Sequence, residues 1–460
     1  MVRDRAIFLW ELPCREPLRR VSGILVVENG GTISLCLTPQ HPSFARERAM
    51  RIIDVDAHLH EPVDWLQRTD PKLAALLGPP ERFIDVADAL FGVNNPALSQ
   101  LPEQQRPMNA WATVLPGFVK HLEMTDDRQP AHQSGSVGNP VVDPVARLKL
   151  CDAEGIEVQF LNPSFLANPL VQAARARRSD LVFPIRQAWN RWAMETMHGY
   201  THRLMPVTQI DLNDVPASIT EMTRMRSLGS RGFAISESPV GVGRFGSEGK
   251  NGLARSLTHP DFEPIWDAAE DLGMAAIAHV GFSRERIQFG WANNGGNDLS
   301  TYSLLSMAIA PQLGPQLLLG ALVFDGVLER HPNLTVIVEE VGISWLPHLV
   351  SVMDHAVGRA QKSQLADGAY RPDFAGKAYQ LPLAPSEYLR RQVTVTPLVV
   401  NEPIRPVLDV VGPEMLCFSS DYPHVEGTDS AVGICERQLA GYASSIRETF
   451  YGRVAQRLGI

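Results

Sequence analysis

Four side chains near the ends of two strand-like segments are the strongest candidates for chemistry. An apolar strand that begins at Ile52 delivers Asp56 and His58, and another, near the other end of the chain, ends in Asp421 with His424 three residues beyond it. Carboxylates and imidazoles are common ligands of divalent metal ions. Because each strand presents such groups at its C-terminal end, the sequence predicts that both contribute to one metal site.

Side chains alternate along the first strand, so one face carries Asp54, Asp56 and His58 while the other face is apolar. A carboxylate directed into a barrel is costly unless a cation or hydrogen-bond donors compensate its charge. Metal binding by Asp56 and His58 meets this need, and Glu61 is predicted to turn back to the same ion or to a neighbouring one. Hydrogen bonds from backbone or arginine groups are the alternative.

Two further strands end in imidazole or acidic groups. His279 ends an apolar strand and precedes Gly281, which suits an imidazole directed into a site beside a loop. The alternative for a single histidine on such a strand is a core residue with satisfied hydrogen bonds. Glu339 and Glu340 close the other strand, and alternation predicts that one of them faces inward, unless both are solvated before the next helix.

These strands belong to an alternation of apolar runs and amphipathic helical stretches. Strands are predicted at residues 52–58, 157–161, 204–210, 231–236, 274–279, 334–340, 392–396 and 415–421, with helices at 143–154, 184–200, 214–227, 261–272, 301–329, 343–361, 402–411 and 429–441. Crossover helices require parallel strands, so this pattern predicts an α/β fold of the (β/α)8 TIM-type barrel class. A doubly wound sheet also fits, but the first strand lacks its GxGxxG turn.

Two segments lie outside this repeat. Residues 1–49 contain a hairpin pattern over Gly23–Leu35 and are predicted to form a small extension before the barrel of residues 50–460. Residues 66–142 follow the first strand and are rich in Pro, Gln, Asn and Gly. A long insertion at this end of a barrel is typical of a lid or cap over the site, with a disordered linker as the alternative.

Composition argues against several classes of partner. A net charge of −9 and a pI near 5.8 leave no basic surface for nucleic acid or an anionic membrane. Apolar runs are shorter than the ~20 residues of a membrane span, and the five cysteines are scattered without a CxxC pair. We therefore predict a cytoplasmic protein that acts on a small molecule. The apolar stretch 304–328 fits an interface in a homo-oligomer as well as packing on the barrel.

Three longer motifs extend these observations. The run Met50–His58 with Glu61-Pro62, the run Arg330–Pro347 and the run Ser420–Gly427 occur in this order along residues 50–460. Together they resemble the amidohydrolase-related family of the amidohydrolase superfamily, the branch that contains aminocarboxymuconate-semialdehyde-decarboxylase-like enzymes. The resemblance implies a (β/α)8 barrel, a divalent metal ion (Zn, Mn or Fe), and hydrolysis or non-oxidative decarboxylation of a small carboxylated or cyclic substrate.

The resemblance also implies roles for individual residues. Asp56 and His58 match the first-strand ligand pair, His279 matches the fifth-strand ligand, and Asp421 matches the eighth-strand aspartate that binds metal and moves protons. Glu340 stands in the sixth strand where such enzymes often have a histidine. This is one of two departures towards carboxylate ligands.

The other departure is in the first strand, which reads Asp56-x-His58-x-x-Glu61 where the better-known decarboxylases resemble His-x-His or Glu-x-His. More negative charge around the metal favours a second cation, or iron or manganese over a single zinc ion. A few proteins that resemble this family carry dinuclear iron or iron–manganese centres and act as oxygenases.

Three functional hypotheses follow. The leading one is a metal-dependent hydrolase or carbon–carbon lyase, in which the four residues matched to the family motifs hold the ion and Asp421 or His424 moves a proton. The second is a dinuclear non-haem iron or iron–manganese monooxygenase, with Glu61, Glu340 and His424 around a second metal. The third is a catalytically silent partner subunit.

Overall fold

The computed structural model of the chain describes residues 7–11, 22–27, 33–36, 50–80, 140–236, 240, 255–280, 299–365, 381–399, 402–424 and 427–460. Its contacts divide the chain into two units, Met1–Ala49 and Met50–Ile460. The first unit contains an antiparallel sheet of β1 (Ile7–Glu11), β2 (Ser22–Val27) and β3 (Ile33–Cys36), with β2 in the centre. The hairpin pattern noted above corresponds to the pair β2–β3.

A protein that starts at Met50 is expected to keep its metal content and its activity. The residues before Met50 supply no candidate ligand, and their contacts form a separate unit. Elemental analysis and thermal unfolding of the two proteins test this, and we expect midpoints within about 3 °C of each other. Insolubility of the shorter protein would show instead that the extension covers apolar surface.

The larger unit is built on parallel strands. They are β4 (Ile52–Leu59), β5 (Ile156–Pro163), β6 (Leu204–Pro206), β7 (Gly232–Ile235), β8 (Ala275–His279), β9 (Val336–Glu339) and β10 (Val393–Val395). They pair in the orders β4-β5-β6 and β7-β8-β9-β10, and a parallel bridge between Thr208 and Phe233 joins the two groups.

The segment from Leu416 to Tyr422 takes the place of the eighth strand and closes the barrel. On one side Leu416 forms a parallel bridge with Val395 of β10. On the other side, the amide of Val55 donates to the carbonyl of Phe418, and the amide of Asp421 donates to the carbonyl of Asp56 at 2.8 Å. Each predicted strand is therefore present, and the predicted (β/α)8 barrel is confirmed.

Helices separate successive strands of the barrel, as the alternation predicted. They are α1 (Trp65–Thr69), α2 (Pro71–Ala75), α3 (Pro144–Glu154), α4 (Ala167–Arg175), α5 (Val182–Thr196), α6 (Val215–Ser227), α7 (Glu263–Leu272), α8 (Leu299–Phe324), α9 (Val327–Arg330), α10 (Leu346–Leu365), α11 (Pro385–Gln392), α12 (Arg405–Val411), α13 (Ala431–Gln438) and α14 (Ser444–Leu458). Helix α3 shows the local signals well: the Asp143 carboxylate accepts from two backbone amides at its start, and Gly155 ends it at a φ of 75°.

Five helices, α1, α2, α4, α11 and α14, were not predicted, because one helix after each strand already accounts for the crossovers. Helix α14 has a packing role that alternation could not indicate. Its residues Val454, Ala455 and Leu458 join a cluster of inward-facing strand residues that includes Ile53 and Val158. The last helix thus covers the interior of the barrel.

The alternation predicted for the first strand is wrong at one point. Asp54 and Ala57 are three positions apart, whereas their β5 partners Gln159 and Leu161 are only two positions apart, so β4 contains a bulge. The extra residue reverses which side chains face inward. Before the bulge Ile53 and Val55 pack inside the barrel, and beyond it Asp56 and His58 face the site. Asp54 therefore does not share a face with Asp56.

The predicted cap at residues 66–142 lies mostly outside the described residues. Its described beginning is helical, with Trp65 and Leu66 of α1 and Leu73 of α2 buried in the core. Within the described part of the chain, no helix is both long and apolar enough to span a membrane.

Candidate metal centre

Two histidines and one aspartate meet at the C-terminal ends of β4 and β8. The Nε2 atoms of His58 and His279 lie 3.1 Å apart. Oδ1 of Asp56 lies 3.3 Å from Nε2 of His58 and 3.5 Å from Nε2 of His279. His279 follows Ala275 and Ile277 on the inward face of its strand, which is why it reaches this point.

Glu340 and Asp421 complete the group from the ends of the neighbouring strands, β9 beside β8 and the closing segment beside β4. Oε2 of Glu340 lies 3.0 Å from Nε2 of His279, and Oδ1 of Asp421 lies 3.4 Å from Nε2 of His58. Both acidic residues follow a strand and have left-handed backbone angles, with φ of 56° and 51°. This conformation is uncommon outside glycine, and it explains why Glu340 enters the site although alternation already directs Glu339 inward.

The hydrogen bonds of the two imidazoles leave their Nε2 atoms as acceptors. Nδ1 of His58 lies 3.2 Å from the carbonyl oxygen of Pro163, and Nδ1 of His279 lies 2.9 Å from that of Val280. A carbonyl can only accept, so each Nδ1 carries a hydrogen, and each ring would offer a lone pair from Nε2 to a bound cation once Nε2 has lost its proton. Two imidazole nitrogens and the carboxylates of Asp56, Glu340 and Asp421 converge here, and among the described residues Oδ2 of Asp56 and Oδ2 of Asp421 are buried without a hydrogen-bond partner. A divalent cation stabilises such an arrangement.

Electrostatics around the cluster favours positive charge. Burial lowers the pKa of His58, but its hydrogen bonds to Asp421 and Asp56 outweigh burial and raise that pKa to about 10. Burial raises the pKa of Asp56, but His279 and His58 outweigh it and hold that pKa below its usual range. The anionic field that retains protons on these imidazoles attracts a metal ion in the same way, and metal binding releases those protons.

His424 lies beside the cluster, next to Asp421 and His58. Its Nδ1 is 3.1 Å from Oδ1 of Asp421, and its Nε2 is 3.1 Å from Oγ of Ser164. The ring centroids of His424 and His58 are 3.7 Å apart. Burial and the charge of His58 hold the pKa of His424 well below its usual range. The sequence placed His424 in this pocket, whereas it gave no reason to single out Ser164.

Gly427, the last residue of the Ser420–Gly427 motif, lies where a larger residue would not fit. A Cβ at this position would overlap the carbonyl oxygens of Ser420 and Asp421. The amide of Thr428 donates to the same Ser420 carbonyl at 3.1 Å. The chain therefore folds back tightly over the strand end that bears Asp421.

Asn162, at the end of β5, is a second residue that sequence analysis missed. Its Nδ2 donates to Oδ1 of Asp56 at 3.1 Å and to Oε2 of Glu339 at 2.9 Å. Burial and the charge of Asp56 hold the pKa of Glu339 well above its usual range. One amide thus orients the Asp56 carboxylate and separates it from a second buried acid. The signal was present in the sequence, since Asn162 follows an apolar strand just as His58 does.

The structure places Glu61 outside this cluster. One of its carboxylate oxygens accepts from the indole Nε1 of Trp189, and the other accepts from the amides of Ser164 at 3.2 Å and Phe165 at 2.7 Å. Burial raises the pKa of Glu61 to about 7 despite these donors. The predicted role of Glu61 as a ligand is therefore corrected: its oxygens hold the loop that presents Ser164 to His424.

We expect Glu61→Ala to lower the free energy of unfolding by about 3 kcal/mol, because three buried donors lose their acceptor. Metal stoichiometry should stay at the wild-type value. Glu157→Ala is the matched control, since it removes an exposed carboxylate and should cost less than about 1 kcal/mol. Denaturant unfolding and elemental analysis measure both effects, and the loss of an ion in Glu61→Ala would restore Glu61 as a ligand.

Two overlapping sets of ligand atoms could hold a metal ion. One comprises Asp56, His58, His279 and Glu340, and the other comprises His58, Glu340, Asp421 and His424; within each set the atoms lie within 4.8 Å of one another. A pocket beside them is lined by Asp56, Glu340 and Asp421 together with Pro397, Leu398 and Val399. The apolar wall suits a small organic substrate beside the ion.

Comparison with known proteins identifies the family. The family model described as amidohydrolase matches residues 55–457, which covers most of the chain and includes every residue of the cluster. The chain belongs to the amidohydrolase family. It is therefore a metal-dependent enzyme of the amidohydrolase superfamily, as the three motifs predicted. No curated protein sequence matches it significantly.

Solved structures of amidohydrolases share its fold. An amidohydrolase from Mycobacterium avium subsp. paratuberculosis K-10 is 19% identical with a TM-score of 0.61, covering 89% of this chain and 99% of its own. The 5-carboxyvanillate decarboxylase from Sphingomonas paucimobilis is 18% identical with a TM-score of 0.52, covering 89% and 99%. That from Novosphingobium aromaticivorans DSM 12444, complexed with manganese and 4-hydroxy-3-methoxy-5-nitrobenzoic acid, is 17% identical with a TM-score of 0.55, covering 90% and 97%.

Proposed function

We propose that this chain is a metal-dependent carbon–carbon lyase that removes CO2 from a small hydroxylated aromatic acid. One observation carries the proposal: Oδ1 of Asp421 lies 3.4 Å from Nε2 of His58, in the metal cluster, and 3.1 Å from Nδ1 of His424. A single carboxylate thus borders both the metal ligands and a histidine that can exchange a proton with it. The similarity to decarboxylases of 5-carboxyvanillate supports this choice of reaction.

Asp56, His58, His279, Glu340 and Asp421 would hold the ion. When bound, a divalent ion supplies a Lewis acid that neutralises and orients a substrate carboxylate or phenolate. The protein supplies the remaining requirements. Pro397, Leu398 and Val399 form an apolar wall against which a ring can lie beside the ligands. An apolar wall also excludes water, which strengthens every charge interaction within the site.

Loss of CO2 leaves an electron pair on the ring carbon, and that carbon must receive a proton. Burial raises the pKa of Asp421 above its usual range, and the position of this carboxyl group between the metal ligands and His424 makes it the candidate proton carrier. His424 can then return a proton to Asp421 across the 3.1 Å between its Nδ1 and Oδ1 of Asp421. Ser164 holds the far side of the His424 ring, so the ring stays aligned with Asp421.

The second candidate is a dinuclear monooxygenase. The observation that favours it is the second set of ligand atoms, which shares His58 and Glu340 with the first set and adds His424. Against it stands Glu61, whose two oxygens are already occupied by Trp189 and the backbone. Hydrolysis would use the same mononuclear site, where a metal ion would activate water to attack a carbonyl carbon of the substrate.

The products distinguish these reactions. Protein loaded separately with Mn²⁺, Zn²⁺ or Fe²⁺ is incubated in D2O with 5-carboxyvanillate, 2,6-dihydroxybenzoate and a series of other ortho-hydroxybenzoates. The lyase proposal expects CO2 release, one deuterium on the product ring and no O2 consumption. Consumption of O2 in proportion to product, with two irons per chain, would establish the oxygenase. Turnover of amide or lactone substrates without CO2 release would establish a hydrolase.

A further inference from the structure

The two strands that deliver His58 and Asp421 are held together by a buried carboxylate behind the site. Asp54 is fully buried. Its oxygens accept from the backbone amide of Ser420 at 2.8 Å, from the Ser420 hydroxyl at 2.6 Å and from the side-chain Nε2 of Gln159 at 2.7 Å. Asp54 lies on β4, Gln159 on β5 and Ser420 on the closing segment. One side chain therefore connects three neighbouring strands just below the level of the metal ligands.

Arg147 of α3 extends this connection to the ligands themselves. Its Nη2 donates to the main-chain carbonyl of His58 at 2.5 Å, and its Nη1 lies 3.4 Å from Oε1 of Gln159. The guanidinium carbon also lies 4.7 Å from the ring centroid of Tyr422, the residue after Asp421. The His58 amide donates to the Tyr422 carbonyl at 2.8 Å, so Arg147 contacts both residues of that backbone pair.

The burial of Arg147 requires an explanation. Its side chain is 1% exposed, and among the described residues no carboxylate lies within the 4.0 Å of an ion pair with it. Removing a guanidinium from water without an anionic partner is costly, and burial lowers its pKa accordingly. A neutral side chain would fill this space at lower cost, unless the rigid fork of donors is needed for geometry.

We propose that Arg147, together with Asp54 and Gln159, positions His58 relative to Asp421 and so sets the metal affinity of the site. This inference rests on the metal site of the proposed function. The ligand atoms of His58 and Asp421 are 3.4 Å apart across two strands, so a small shift of either strand end changes the space for the ion. The guanidinium fixes the His58 carbonyl, and the aromatic face of Tyr422 fixes the guanidinium.

The test compares Arg147→Lys with Arg457→Lys, each of which keeps the charge and loses the fork. Arg457 of α14 is the matched control because it also binds main-chain carbonyls, those of Leu334 and Arg391, but at the starts of β9 and β10. Mn²⁺ affinity is measured by competition with a chelator, and the site is followed by the electron paramagnetic resonance spectrum of bound Mn²⁺. Thermal unfolding reports the loss of stability.

We expect Arg147→Lys to weaken Mn²⁺ binding at least about tenfold and to change the spectrum, as residues that orient ligands do. Arg457→Lys should lower the unfolding midpoint similarly and leave Mn²⁺ affinity and spectrum at wild-type values. If Arg147→Lys does not fold, Ser420→Ala, which removes one donor to Asp54, should weaken Mn²⁺ binding about threefold.

Wild-type affinity and spectrum in both site variants would overturn the positioning role and leave the proposed function standing. Equal weakening in Arg457→Lys would also overturn it, since general stability would then explain the effect. A wild-type protein that binds no Mn²⁺, Zn²⁺ or Fe²⁺ would instead overturn the proposed function, and this inference with it.

Discussion

Replacement of Asp421 by asparagine is expected to lower the rate of CO2 release by about a thousandfold while the fold is retained. The amide has the same shape, but it can neither carry the transferred proton nor add negative charge beside His58 and His424. Burial of the position makes the effect large, because water does not replace the missing group. Initial rates at saturating metal concentration measure it, and circular dichroism checks the fold.

Asp180→Asn is the control for this substitution, since Asp180 is exposed and pairs with Arg178 on the surface. Its rate should equal that of the wild type. If Asp421→Asn keeps more than about a tenth of the wild-type rate at equal metal content, Asp421 is neither the proton carrier nor a required ligand.

Replacement of His279 by alanine is expected to weaken Mn²⁺ binding at least about a hundredfold. The imidazole supplies a lone pair at the centre of the cluster, 3.1 Å from that of His58 and 3.0 Å from Oε2 of Glu340. Its loss leaves the carboxylates of Asp56 and Glu340 close together with one neutral ligand fewer. Metal content after dialysis and chelator competition give the affinity.

His355→Ala provides the comparison, because His355 is exposed on α10 and its Nδ1 lies 2.7 Å from the carbonyl oxygen of Ser351 in the same helix. It should retain wild-type metal content. Unchanged metal content in His279→Ala would remove β8 from the ligand set and place the ion in the second set, around His424.

The barrel was predictable because its signals are local and repeated. Apolar runs of strand length, each followed by an amphipathic helix, permit few topologies once crossovers must be right-handed and parallel. The helix starts and ends were equally local, as Asp143 and Gly155 show around α3. The five unpredicted helices are additional to the one crossover helix that each strand requires, so the alternation of strands and helices did not indicate them.

The residues of the metal cluster were also predictable, since chemistry at a barrel is concentrated where strands end. Asp56, His58, His279 and Asp421 stand at or near the ends of apolar runs, and carboxylates and imidazoles are residue types that favour a metal site there. The sequence did not decide which of Glu339 and Glu340 faces the site. Alternation along the strand directs only one of them inward, and the left-handed φ of Glu340 brings the second into the site.

The sequence by itself determined the barrel, the family and the side chains that can bind a metal, because these depend on periodicity and on residue type at strand ends. Tertiary structure alone decided which buried acids face the ion. The bulge in β4 turns Asp54 away from Asp56, and the donors around Glu61 come from residues more than a hundred positions along the chain, Trp189 and Phe165. Whether a carboxylate is available as a ligand or serves as a structural acceptor depends on the groups that surround it, and those groups are brought together only by folding.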